Sequence, residues 1–169
     1  MKDWIRKDRL KFKYFSLERL NFFGLPTAFI VIGIIHGVFL FKADFKSINH
    51  LILVGFFAFL ILGISTYYLQ LNRLKFKNIR LTKNLDDFKT ELKKILISNN
   101  WEIDYDNNLY LQATFRNGLT NLDMLTIKFK KKEIQWNVIR HPWSQNSIAA
   151  LITINIEGRK MIEIIKAIA

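Results

Sequence analysis

The chain has 169 residues and a formal net charge of +12; half of it is hydrophobic, with 15 phenylalanines and no cysteine. A composition this apolar excludes a disordered chain, and the missing cysteine excludes disulfides, thiolate nucleophiles and cysteine-ligated zinc or iron–sulfur centres. The positive charge alone would suit nucleic acid, but its placement along the chain gives it a different use.

Residues 1–21 form a basic segment in which Lys2, Arg6, Lys7, Arg9, Lys11, Lys13 and Arg19 outnumber Asp3, Asp8 and Glu18. Its apolar residues scatter around a helical wheel, whereas Leu10, Phe12 and Tyr14 alternate with Lys11 and Lys13 at the period of a strand. Two apolar runs follow, residues 22–41 and 51–71, joined by a polar loop at 42–50. Neither run carries a formal charge, and about 20 residues rising roughly 1.5 Å each span about 30 Å, the hydrocarbon thickness of a bilayer. The sequence therefore predicts a membrane α-helical hairpin of two transmembrane helices.

Basic residues crowd its open end, where Arg73, Lys75, Lys77, Arg80 and Lys83 follow the second run with no acid among them. The loop holds only Lys42, Lys46 and Asp44. By the positive-inside rule both termini are cytoplasmic, in a multi-pass protein of the inner (plasma) membrane, and the residue usage suits a bacterial source. Much of the charge then serves topology and attraction to anionic headgroups, so nucleic acid is not an expected partner. A cleaved signal core is about 7–15 residues long and ends in small residues, so the first run reads as a retained anchor.

Within the hairpin, Gly33 and Gly37 make a Gly-x-x-x-Gly step, and an antiparallel register puts Gly55 at about the depth of Gly37. These three glycines are the predicted helix-packing residues, within one hairpin or between copies in a homo-oligomer. The same register sets Thr27 near Ser65 and Thr66 and predicts a hydroxyl hydrogen bond there. Pro26 falls in the opening turn of the first span, where its missing N–H costs little. His36 is the sole histidine, acid or basic residue in either run, with no acid at membrane depth for a relay and no second histidine for a metal. The pentapeptide Arg-Leu-Lys-Phe-Lys occurs at 9–13 and again at 73–77. Folding the hairpin brings these segments together, which predicts that they lie side by side beneath the membrane, either paired as flanking strands at 9–15 and 73–80 that widen the sheet or simply placing their aromatics at the interface.

Residues 72–169 read as a cytoplasmic two-layer α+β domain, an antiparallel sheet of four or five strands flanked by two helices. Asn84 is an N-cap, Asp86 and Asp87 sit in the first turn, Leu85, Phe88, Leu92, Ile95 and Leu96 share a face, and Asn99-Asn100 ends the helix. Alternating runs then predict strands on Trp101, Ile103 and Tyr105, on Leu109, Leu111, Ala113 and Phe115, on Leu125, Ile127 and Phe129, and on Ile134, Trp136 and Val138. Their turn signals are 106–108, 116–118, 131–133 and His141-Pro142. Residues 151–156 alternate again and 144–150 fit either a strand or a helical turn. Met161, Ile164, Ile165 and Ile168 mark a closing helix after Gly158.

No phosphate loop, nucleophile elbow or His-Glu-x-x-His pair occurs in the sequence, and the three histidines fall in separate parts of the molecule. Asp104, Asp106 and Asn108 have the alternate spacing of a calcium loop but lack its glycine and bidentate glutamate. No cofactor and no metal are expected, and the chain reads as non-enzymatic. Lys128, Lys130, Lys131, Lys132 and Arg140, with Trp136 and Trp143 nearby, are the candidate contact with an anionic surface, although Trp136 has core parity and charges also keep a hairpin tip soluble. The expected function is a small membrane protein whose hairpin anchors a binding module for a protein partner or the bilayer itself. The alternative is an immunity or defence protein in which the hairpin, through Gly33, Gly37 and His36, is the active element.

Overall fold

The computed structural model describes residues 9–42, 50–117, 121–142 and 156–169. The first eight residues, most of the 42–50 loop, Gly118, Trp143 and the ambiguous 144–155 stretch lie outside the described residues. Within them the order is α1 (Leu17–Lys42), α2 (His50–Arg73), β1 (Lys77–Arg80), α3 (Leu85–Ser98), β2 (Trp101–Asp106), β3 (Tyr110–Asn117), β4 (Asn121–Phe129), β5 (Glu133–Arg140) and α4 (Ile156–Ile168).

Helices α1 and α2 are 26 and 24 residues long and pair with each other. At 1.5 Å per residue they reach roughly 39 and 36 Å, enough to cross a bilayer. The first begins five residues before the expected span because Ser16 caps it: the Ser16 hydroxyl accepts the Arg19 N–H at 3.2 Å, after a left-handed turn at Phe15 (φ 59°). That short polar cap lets the helix start among charged residues, which hydropathy alone places outside it.

Five antiparallel strands form an open sheet in the order β1-β5-β4-β3-β2. Phe88, Leu92 and Leu96 of α3 and Met161, Ile162 and Ile165 of α4 pack on one face, against Leu111, Ala113, Leu125, Ile127 and Ile134. Asn84 caps α3 by accepting the Asp86 N–H at 3.2 Å, and Asn100 (φ 60°) turns the chain straight into β2. At the 106–108 turn, the Asn107 side-chain oxygen accepts the N–H groups of Leu109 and Tyr110 at 2.8 and 2.7 Å. Leu109, expected on the inner face, lies before β3 and is exposed. In α4, Ile162 takes the buried place expected of Ile164, and Gly158 lies inside the first turn rather than before the helix.

The second face of the sheet departs from a two-layer arrangement. Met124 and Ile139 on that face pack with Leu10, Phe12, Phe22, Phe23 and Leu74 in a second apolar cluster at the open end of the helical hairpin. The two copies of the pentapeptide meet there: Arg9 bridges Lys75, and the Leu10 N–H donates to the Leu74 carbonyl at 2.9 Å. The first copy stops at this bridge and forms no strand of the sheet, whereas the second leads into β1.

Candidate functional site

The helical hairpin closes along a seam of small residues. A Cβ on Gly33 would lie 2.9 Å from Leu60, one on Gly37 2.9 Å from Phe56, and one on Gly55 2.8 Å from His36. Gly63, which the sequence reading did not single out, is tighter still, with Ile30 Cγ1 at 2.6 Å and the Ile30 backbone nitrogen at 3.0 Å. All four glycines thus face the other helix of the same chain. His36 fills the notch opposite Gly55, its Nδ1 is 2.8 Å from the Ile32 carbonyl, and its ring centroid is 5.4 Å from that of Phe59. The expected hydroxyl contact with Thr27 does not form: Thr66 donates instead to Leu62 and Gly63 in its own helix, at 2.6 and 3.1 Å. A hydroxyl in an apolar helix reaches the preceding turn without any partner helix.

At the open end, Gln70 is buried and its amide donates to the Phe22 carbonyl at 3.3 Å, clamping the two helices where they meet the sheet. Aromatic rings continue the junction: Phe12 to Phe22, Phe22 to Phe23 and Phe23 to Tyr67 are each 5.0 Å between centroids.

The sheet separates the predicted cationic group. Lys130, Lys131 and Lys132 form the β4–β5 turn, with Lys130 on Glu133 and Lys128 over the Tyr110 ring. Arg140 is at the other end of β5, six residues along the ladder from the Phe129–Ile134 pair, or about 20 Å at strand spacing. Sequence proximity to Trp143 suggested one patch, but an eight-residue strand carries Arg140 to the hairpin end of the sheet.

There Arg140 lines an open cleft of about 1620 Å³ between the end of α2, the far half of β5 and the start of α4. Arg73, Lys75, Lys77 and Arg159 line it too. The segment carrying Arg73 and Lys75 is fixed by Asn137, whose amide nitrogen donates to both their carbonyls, at 2.7 and 2.8 Å. Lys77 lies over the Trp136 ring at 5.2 Å. Of the three acids in the cleft, Glu157 pairs with Lys160 and Glu163 with Lys166, each at 2.7 Å. The third, Asp123, is buried beside Arg140 in the ladder and accepts the Gly158 N–H at 3.0 Å.

Burial pushes the Asp123 carboxyl above the usual carboxylate range; the Gly158 N–H and then the Arg140 charge oppose the rise, and Glu157 adds to it. A raised acid favours the folded state most where it is protonated, so this contribution is lost as pH climbs through the folded value. Asp123→Asn keeps an acceptor for Gly158 and should not show that loss. Thermal melts of the purified chain should therefore match at about pH 4 and separate toward neutrality, the asparagine variant melting higher. Equal pH dependence in the two would disprove the assignment.

The remaining acids are dispersed. Asp104 accepts from Thr114, Asp106 pairs with Lys93 and the Asn108 carbonyl binds Lys89, so the calcium-like spacing is spent on three separate contacts. Among the described residues no three histidine or acid side chains gather as a metal site. His141 is pushed below its ordinary value mainly by burial. No protein-family model matches the chain, and neither does any curated protein or any solved structure.

Proposed function

We propose that this is a two-span protein of the inner membrane, both termini cytoplasmic, whose hairpin anchors a non-enzymatic α+β binding module directly beneath the bilayer. The observation that carries the reading is the outer surface of α1 and α2. Ile34, Phe39, Val54, Phe57, Ile61 and Ile64 are each about half exposed or more, and only 22% and 6% of the two apolar segments is buried within the fold. Side chains so apolar and so uncovered need hydrocarbon around them. Tyr14 and Phe15 stand exposed at the open end, with Lys11 and Arg19 within 5 Å of the Tyr14 ring, as interfacial anchors do.

The hairpin serves as an anchor rather than as the active element, because Gly33, Gly37 and His36 are all occupied in packing against α2. With its own helices engaged, the part left to meet a partner is the sheet and its cleft. The test is purification of the tagged full chain in mild detergent after an alkaline wash of membranes. The chain is expected to remain with the membranes and to bring down a specific lipid or protein. Release by the wash contradicts the anchor, and retention without any companion contradicts the binding module.

A further inference from the structure

On the sheet face that carries Met124 and Ile139, alternation along β4 and β5 sets Thr126, Gln135 and Asn137 side by side. Thr126 and Asn137 are direct partners in the ladder, and Gln135 lies two residues before Asn137 on the same face, so the three side chains start within about 5–8 Å of one another. All three are buried, with exposures of 2%, 9% and 3%. Each has one polar atom without a hydrogen-bond partner among the described residues: Thr126 Oγ1, Gln135 Oε1 and Asn137 Oδ1. The other end of each amide is engaged. Asn137 Nδ2 donates to the Arg73 and Lys75 carbonyls at 2.7 and 2.8 Å, and Gln135 Nε2 donates to Asn78 Oδ1 at 3.0 Å. The two carbonyls accept only, so they fix which way the Asn137 amide points. Two carbonyl oxygens and one hydroxyl are thus enclosed in one patch, and leaving all of them unpaired would cost each its full solvation.

We infer that this patch encloses an ordered water molecule, which donates to the Gln135 and Asn137 oxygens and accepts from the Thr126 hydroxyl. Water carries both donors and acceptors, which is the complement of this set, and buried sites with about two to four polar partners are where proteins hold it. An anion would face two carbonyl oxygens. A metal cation would find neutral ligands only, with Lys128 opposite Gln135 in the ladder and Glu133, next along that face, paired with Lys130. The water completes a brace: one end of the Asn137 amide holds the carbonyls at the end of α2 and just after it, the other end holds the water, and the water reaches β4 through Thr126. The inference does not depend on the membrane reading, since every group in it belongs to the sheet or to the backbone of Arg73 and Lys75.

The test is a crystal structure of the full chain at a resolution that shows ordered solvent, paired with thermal melts of Thr126→Val, which keeps the side-chain shape and replaces the hydroxyl by a methyl. A density peak within about 2.7–3.2 Å of all three atoms is expected. The variant should melt about 2–4 °C lower, because it strips the water of one partner. A dry patch gives the opposite sign, since removing a buried unpaired hydroxyl raises the melting temperature. That rise, or a patch without a peak between well-ordered side chains, overturns the assignment. An anomalous signal at the same position in crystals grown with thallium(I) overturns it in favour of a monovalent cation. Should Thr126→Val not fold, the density of the parent chain decides on its own.

Discussion

Truncating Phe22 to alanine should cost about 3–5 kcal/mol and release the sheet from the helical hairpin. Phe22 is 1% exposed although it opens an apolar run. Its ring sits between Phe12 and Phe23, in the cluster that also takes in Met124 and Ile139 from the sheet. Removing it leaves a cavity where three parts of the chain meet, and none of them can close the gap without moving the others. Phe39→Ala is the control, since that ring is 59% exposed on the outer flank of α1 and holds nothing in place. Unfolding in detergent, together with limited proteolysis across residues 72–83, should show a large loss and new cleavage for the first variant and little change for the second. Equal effects would mean that the junction is a loose tether.

Gly158→Val should destabilise the chain by about 3 kcal/mol or more, and Gly158→Ala by about 1–2. A Cβ at this position would lie 2.2 Å from Val138 Cγ1, far inside contact distance, and 3.4 Å from Asp123 Oδ2. Alanine is better than glycine inside a helix by about 1 kcal/mol, so the two effects oppose each other. Overpacking wins because α4 would have to lift from β5, weakening its bond to Asp123. Val138→Ala removes the obstructing methyl groups, and adding it to Gly158→Ala should recover much of the loss. Thermal melts of the single and double variants read this directly. A Gly158→Ala variant that melts above the parent would show that Val138 simply turns aside.

How far the sequence could be read follows the range of its signals. Charge-free length and basic flanks mark the two long helices, and in α3 the cap, the apolar face and the ending residue are all local, so its Leu85–Ser98 extent is close to the expected one. The echo of Arg-Leu-Lys-Phe-Lys was a long-range signal, and its copies do meet, but through one bridge rather than a strand pair. Gly158 was misread as a helix boundary. Glycine usually breaks helices, and its real use, a close approach of α4 to Val138, depends on a partner 20 residues away. Gln70 and Gly63 look unremarkable in an apolar run for the same reason.

The candidate site was legible only in part. Arg140 was singled out, but with the wrong companions, because sequence neighbours and a shared charge suggested Lys128–Lys132. Its neighbours in the cleft, Arg73, Lys75 and Arg159, come from the end of α2, the segment that follows it and α4. Strand direction and the order of the sheet decide which charges share a cleft, and neither is written in residue types. The buried polar side chains Gln112, Thr114, Thr126 and Asn137 likewise lie on the face that alternation assigns to solvent. That face is covered in part by the hairpin junction, which no local pattern announces.

We place the two apolar helices across a bilayer with the sheet on its cytoplasmic side, as proposed above. Because the chain has no cysteine, single introduced cysteines report topology without background. Ser98→Cys, exposed at the end of α3, should react with a membrane-impermeant maleimide only after cells are broken, and Ser47→Cys, in the loop between the helices, should react in intact cells. Labelling of Ser98→Cys from outside unbroken cells, or labelling of both only after lysis, would contradict that placement.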